Sequence, residues 1–329
     1  MNQLLHFLRF MPLRYFAGGG LWSGPVPTLA FYLAPQDARL LLTRKKKPVG
    51  YEPALVGEPD SPPLPEGSGI SRAVQARQLL SPKLARRYGL NTDVEHLFVV
   101  DCSLKDLYLQ VTTLSALRRK TPASLLEDLH EDPARILEEW DDHRPYRWTL
   151  LANSFRLEPL SKAGIDEQVI LVGLPEEYCE QLETWSEAEG ATILAIVPLA
   201  VAVYAYIGQV ILPADVTRPG IGIVATDCLA LVAVGREGKV EVIHLHKTLS
   251  EALRSIPTTV ADLRIAEHFL YVWASGDQLA QVDLPPEAIA LDGERLRASS
   301  GSLVVAESHG KKVSHDEPVT HLLAWLAGR

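Results

Sequence analysis

The sequence predicts a two-lobed α/β protein, and three observations predict it. A chain of 329 residues, 47% hydrophobic and 22% charged, is long enough to enclose two cores and has ordinary globular composition. Residues 168–207, QVILVGLPEEYCEQLETWSEAEGATILAIVPLAVAVYAYI, read strand, helix, strand, helix with clear punctuation. Hairpin-like apolar runs stand on either side of that stretch, at residues 28–43 and 222–246.

Taken in order, the chain opens with MNQLLHFLRFMPLRYF, from Met1 to Phe16. Its only formal charges are Arg9 and Arg14, and they interrupt the apolar run too early for a secretory signal. It reads as a helix packed on the domain, or as an interfacial or docking helix; Gly18, Gly19 and Gly20 end it. Residues 28–43 read as a hairpin turning through Pro35, Gln36 and Asp37. The basic run Arg44, Lys45, Lys46 and Lys47 is expected to be a solvated strand end. Residues 48–69 hold six prolines and are expected to form an extended loop with little regular structure. Residues 71–88 read as a basic amphipathic helix closed by Gly89. Residues 97–100 and 107–113 read as strands. Thr121 and Pro122 supply an N-cap and a first-turn proline. The acidic helical stretch behind them is expected to run to Trp140, re-initiated at Asp132 and Pro133, and residues 146–157 read as a long strand.

The central stretch follows. Residues 169–172 form a β-type run, and Pro175 is placed in the first turn of a helix, with Glu176 and Glu177 at the positive end of its dipole. Tyr178, Leu182 and Trp185 recur at helical spacing, which predicts an apolar face, with Glu180, Glu183 and Glu187 turned to water. Gly190 is a natural stop, residues 193–197 a second strand, and Pro198 the opening of a second helix. Residues 193–212 meet the length rule for a membrane span, but Pro198 interrupts them and no Lys or Arg flanks them. A buried strand followed by a packed helix is the expectation. Beyond it, residues 222–234 and 239–246 are expected to form a hairpin turning at Arg236, Glu237 and Gly238. Residues 250–254 are weakly helical and 267–274 a buried strand. The tail holds a further hairpin-like region and a last helix at 321–326.

Composition excludes several functions. A net charge of −9 argues against a general nucleic-acid surface. Cys102, Cys179 and Cys228 are scattered and form no CxxC pair, which predicts reduced thiols in a cytoplasmic protein, with neither a disulfide framework nor a zinc ribbon. The sequence has no P-loop, no GxGxxG and no GxSxG; Gly67, Ser68 and Gly69 follow no buried strand and make no nucleophile elbow. His244 and His246, two apart on a strand, share a face that could hold a metal, but no third ligand is fixed. His309, His315 and His321 match no ligand spacing.

The order of elements resembles a duplicated ribonuclease-H-like, actin-like ATPase fold. Within it the chain is most similar to the pilus assembly protein PilM and the cytoplasmic part of the type II secretion protein GspL. The resemblance is carried by the central stretch, by IGIVATDCLALVAVGREGKVEVIHLH, which resembles that family's second phosphate hairpin, and by HLFVVDCSLKDLYLQVTTLSALRRKTPASLLEDL, which resembles its inserted small subdomain. It covers residues 25 to about 280 and implies an extension at 1–24, a first lobe at 25–165 that includes the 48–69 loop and the small subdomain, and a second lobe at 166–329.

The departures matter as much. An active actin-like ATPase needs an Asp to hold metal-bound water and a Gly to admit phosphate to the backbone in its first hairpin. Tyr32 and Ala34 stand there, with Asp37 in the turn. In the second hairpin Ala225 ends the segment that should read Asp-x-Gly, and Asp227 is displaced toward the turn. The adenosine-side glycine pair becomes Ser275 and Gly276 after Ala274. The resemblance therefore implies a degenerate nucleotide site with no cofactor, no metal and no catalysis. It implies a cytoplasmic adaptor that binds the cytoplasmic tail of an inner-membrane pilus or secretion protein. It is compatible with self-association, and with peripheral attachment to the inner membrane through the segment from Met1 to Phe16. Two other readings remain open: an ATP-binding assembly ATPase that uses Asp37 or Asp227, and a membrane-attached α/β protein.

Overall fold

The computed structural model describes residues 27–34, 38–44, 47–52, 94–102, 106–138, 140–157, 159–212, 218–226, 229–291 and 318–327. In chain order the first elements are β1 (Pro27–Leu33), β2 (Ala38–Arg44), β3 (Lys47–Glu52), β4 (Glu95–Val100) and β5 (Tyr108–Thr113). Helix α1 (Pro122–Glu131), β6 (Tyr146–Ala152), β7 (Gln168–Pro175), α2 (Glu176–Ala188), β8 (Thr192–Pro198) and α3 (Leu199–Tyr206) follow, the last continued by a π-helical turn at Ile207–Ile211. The remaining elements are β9 (Gly220–Ala225), β10 (Ala230–Arg236), β11 (Lys239–His246), α4 (Leu249–Asp262), β12 (Phe269–Trp273), α5 (Gly276–Ala280), β13 (Ala288–Ala290) and α6 (Pro318–Ala327).

Two five-stranded sheets repeat one topology. The first has the order β3-β2-β1-β4-β8 and the second β11-β10-β9-β12-β13. In each, three antiparallel strands in sequence are joined by two parallel ones. Every residue of β1 is buried, as expected of a central strand covered on both faces. A third sheet, β5-β7-β6, is inserted between β4 and β8. The central stretch thus distributes its four elements among three bodies: β7 enters the inserted sheet, α2 joins that sheet to the first one, β8 closes the first sheet, and α3 leads to the second.

Local chemistry explains most of the boundaries. Thr121 caps α1 by accepting the Ser124 backbone N–H, with Pro122 in the first turn. Gly190, at φ +69°, follows the end of α2 in the left-handed region that glycine tolerates. Glu237 and Gly238 both hold positive φ, 53° and 74°, as a two-residue type I′ hairpin requires. At Gly173 a Cβ would lie 2.5 Å from the Trp148 ring, so β7 must be bare there for the inserted core to close.

Several expectations are corrected. The proline-rich segment opens with a strand, β3, because the β1–β2 hairpin leaves an edge that Lys47–Glu52 can pair with. The helix expected to reach Trp140 stops at Glu131 and leaves only a 3-10 turn at Pro133–Arg135. Pro133 cannot donate the bond that would extend it. The strand expected over 146–157 ends at Ala152. Pro175 is the last residue of β7 and caps α2 instead of lying in its first turn. Residues 222–234 divide into β9 and β10. The weak helix at 250–254 is a 14-residue helix, α4, capped by Thr248 and tolerant of an internal Pro257. β13 pairs parallel to β12, and the rest of the tail expected to be hairpin-like, residues 292–317, lies outside the described residues.

The lobe boundary also differs. A cut at 165/166 would separate β6 from β7, which pair along their length, and would take β8 from the first sheet. The crossing to the second sheet lies between Pro198 and Gly220. The expected helix at 71–88, the segment from Met1 to Phe16, Asp37, Asp227, Cys228, His309 and His315 lie outside the described residues.

Residues 193–212 hold no continuous helix: β8 ends at Pro198 and an eight-residue α3 follows, every residue of it buried. Among the described residues no helix is long and apolar enough to cross a membrane.

Candidate functional site

The two sheets meet over a floor made by α3 and α6. Helix α3 packs on β4 and β8 of the first sheet and on β10 of the second, and α6 lies across β1, β2 and α3. Their side chains form an aromatic seam. Tyr206 stacks on Trp273 at 5.2 Å, Trp325 meets Tyr206 edge-on at 5.3 Å, and His321 meets Trp273 edge-on at 5.5 Å. The gap among Val203, Tyr206, Val224, Thr226, Trp273 and Leu322 has no volume for a water molecule. One apolar core runs from Tyr32 and Ala34 on the first sheet through this floor to Val224 and Trp273 on the second.

The residues singled out in the sequence fall around that floor. Tyr32 is 1% exposed near the end of β1, opposite Arg39 and Val99, and Ala34 is buried just beyond the strand. Ala225 is fully buried at the end of β9. Ser275 and Gly276 begin α5, where the Ser275 hydroxyl accepts the Gln278 backbone N–H at 3.3 Å. The structure ties Ser275 to Thr226, the residue after Ala225, in one small network. Gln278 Oε1 accepts from Ser275 N–H at 3.1 Å, and Gln278 Nε2 donates to the Thr226 carbonyl at 2.9 Å. The Thr226 N–H is spent within its turn on the Leu229 carbonyl, 2.8 Å away. Across the floor, the Asp101 N–H donates to the Leu33 carbonyl at 2.7 Å.

A phosphate needs unspent N–H groups and bare backbone. Here a buried phenol ring and a buried alanine stand on one side, and a serine committed to a helix cap on the other. Thr226, Gln278 and Asp101, the last 9% exposed at the end of β4, were not singled out in the sequence. The Ser-x-x-Gln spacing of a capping box was a legible signal for Gln278. Nothing local marks Thr226 or Asp101.

Of the remaining candidates, His244, His246, Cys102 and Cys179 lie among the described residues. His244 and His246 share a face of β11 with ring centroids 6.3 Å apart, but no group of three His, Cys, Asp or Glu among the described residues could hold a metal ion. Burial, then the neighbouring His244, lowers the pKa of His246, whose Nε2 is buried without a partner. A depressed histidine pKa means that the unfolded chain binds the proton more tightly. The fold is therefore expected to lose stability as pH falls below the unfolded value of about 6.5. His246→Leu should flatten the dependence of urea midpoint on pH between about 7 and 5; an unchanged slope would refute the assignment. Cys102 and Cys179 are buried free thiols, and burial pushes the Cys179 thiol up to about 12, so neither is a poised nucleophile. Arg144 binds Asp142 and Asp106 at 2.6 and 2.7 Å, in a network that satisfies itself.

Comparison with solved structures adds the fold's kinship. The chain superposes on one in the PilM-PilN type IV pilus biogenesis complex with a TM-score of 0.58 at 12% identity, covering 93% of this chain and 99% of that one. The fold is actin-like. Two more distant likenesses are an actin-like ATPase-fold protein of unknown function from Bacteroides thetaiotaomicron and the ethanolamine utilization protein EutJ from Carboxydothermus hydrogenoformans. The first has a TM-score of 0.49 at 8% identity, with 80% of this chain and 88% of that one covered. The second has a TM-score of 0.37 at 13% identity, with 99% and 96% covered. No protein-family model and no curated protein matches the sequence. In this actin-like frame, β1–β2 and β9–β10 are equivalent hairpins of the two lobes, and the β5-β7-β6 sheet is an insertion in the first.

Proposed function

We propose that the chain is a non-catalytic, actin-like adaptor of a pilus or secretion assembly platform, working at the cytoplasmic face of an inner membrane. It binds the cytoplasmic tail of a membrane protein. The observation that carries this reading is the likeness to the PilM-PilN complex over nearly the whole of both chains. Absence of catalysis is supported by the floor between the lobes: Tyr32 and Ala34 are buried where metal and phosphate would need access, and Ser275 is committed to a cap. The binding energy of such a protein goes to holding a partner, and its lobes serve as a frame.

Crosslinking in cells, followed by mass spectrometry, tests the adaptor role. The expected product joins this chain to the cytoplasmic tail of an integral membrane protein encoded near it, and the synthetic tail should bind the purified chain saturably. Products with soluble proteins alone would overturn the reading. Thermal melts test the missing chemistry, since a ligand that binds the folded state raises its melting temperature by mass action. Millimolar Mg-ATP is expected to leave the melt unmoved. A rise of several degrees that disappears without magnesium would replace the adaptor with an assembly ATPase.

A further inference from the structure

The segment that leaves β6 does something that neither the fold nor the proposed adaptor role requires. Phe155 holds a left-handed backbone, φ +53°, which an aromatic residue adopts only when its surroundings impose it. Its ring stacks on Tyr204 of α3 at 5.0 Å. It also fills a slot that two glycines keep open. A Cβ on Gly208, in the π-helical turn, would lie 1.8 Å from the ring's Cγ, and one on Gly235, in β10, 2.8 Å from its far edge. The slot therefore has one wall on the link between the lobes and another on the second lobe, while its occupant comes from the inserted sheet.

Four hydrogen bonds follow the same route. The Phe155 N–H donates to Tyr204 Oη at 2.9 Å, and Gln209 Nε2 donates to the Phe155 carbonyl at 2.7 Å. The Asn153 amide imitates a neighbouring strand at the edge of β11: it donates to the Val240 carbonyl at 2.9 Å and accepts the Val240 N–H at 2.8 Å. At this point α3 also changes register. Leu212 N–H bonds to the Ile207 carbonyl, a five-residue step, in a π-helical turn of the kind that recurs at functional positions. A void of about 20 Å³ adjoins the ring, between Gly220, Gly238 and Tyr271.

We propose that residues 153–155 are a catch that fixes the inserted sheet to the second lobe, and that withdrawal of the Phe155 ring frees that lobe to pivot about the π-helical link. Seated, the catch holds one angle between the lobes. Withdrawn, Phe155 regains an extended backbone and the edge of β11 loses its cover. Whatever engages the inserted sheet is thereby coupled to the position of the second lobe. The coupling needs neither nucleotide nor the proposed partner, so it stands or falls separately from the adaptor role.

The test is a distance. Spin labels at Glu131→Cys on α1 and Arg254→Cys on α4, both exposed positions, report the inserted sheet against the second lobe in the full chain without ligand. The parent should give one narrow distribution. Phe155→Ala, which empties the slot, and Gly208→Ala, which evicts the ring from the other side, should each broaden it. The double variant should be no broader than Phe155→Ala alone, since both act on one contact. Asn153→Ala leaves the core intact and should raise amide exchange at Val240 and its neighbours about tenfold or more, with β1 and β4 unchanged. Two results would overturn the catch: distributions as narrow as the parent's in Phe155→Ala and Gly208→Ala, or exchange in Asn153→Ala that rises equally in the first sheet.

Discussion

Replacing Glu183 by alanine is expected to destabilise the protein by about 3–5 kcal/mol, because it strands a buried cation. Arg147 projects from β6, its side chain 8% exposed, and meets both oxygens of Glu183 on α2 at 2.6 and 3.0 Å. Glu176, at 3.4 Å, touches the same guanidinium. Without Glu183 the guanidinium keeps its charge, since arginine does not deprotonate, and only the partly exposed Glu176 remains to it. The loss thus measures an uncompensated charge more than the worth of the pair. The double variant Arg147→Met with Glu183→Leu should recover most of the stability, as apolar replacements of buried pairs commonly do. Urea unfolding of the three proteins checks this. A Glu183→Ala loss below about 1 kcal/mol, the usual ceiling for an exposed pair, would mean that water reaches the bridge and that α2 does not seal the inserted sheet.

Trp185→Ala should cost a similar amount, about 3–5 kcal/mol, for a different reason. Trp185 lies two residues beyond Glu183 on α2, 8% exposed. It stacks on His96 at 5.1 Å and meets Phe31 and Phe98 edge-on at 5.6 and 6.1 Å. Truncation removes a large apolar surface and leaves a cavity between α2 and the centre of the first sheet, which rigid strands fill poorly. His96 should remain placed, because its Nδ1 lies 3.0 Å from the buried Ser186 hydroxyl. Trp185→Phe should fall well short of the alanine loss. Equal losses for the two, in denaturant melts, would show that an interaction specific to the indole matters more than volume.

These two residues mark how much the sequence discloses. Trp185 was legible: with Tyr178 and Leu182 it recurs at helical spacing, and a side chain of that kind is buried wherever the helix lands. Glu183 was misread. It sits in a helix rich in glutamate, and its spacing assigns it to water beside Glu180 and Glu187. Only the approach of β6, 36 residues earlier in the chain, turns that position inward. No local pattern records an ion pair between a strand and a helix that follows another strand. The candidate site divides in the same way. That Tyr32, Ala34 and Ala225 are poor phosphate ligands follows from their side chains. That Ser275 and Thr226 are tied through Gln278 does not.

The sequence by itself determined the elements whose signals are local. Thr121 and Pro122 start a helix, Gly190 ends one, Glu237 and Gly238 turn a hairpin, and the apolar runs of β1, β4 and β8 demand burial, because capping, backbone freedom and hydrophobicity act over a few residues. The tertiary structure alone decided where those elements belong. It placed β8 in the first sheet, made β3 from the start of a proline-rich segment, and sent α6 back across β1 to seal the floor. It also seated Phe155 between two glycines more than fifty residues beyond it. Such choices depend on which edges and faces remain uncovered once the other elements have packed. That is a property of the assembled surfaces, and no stretch of the chain contains it.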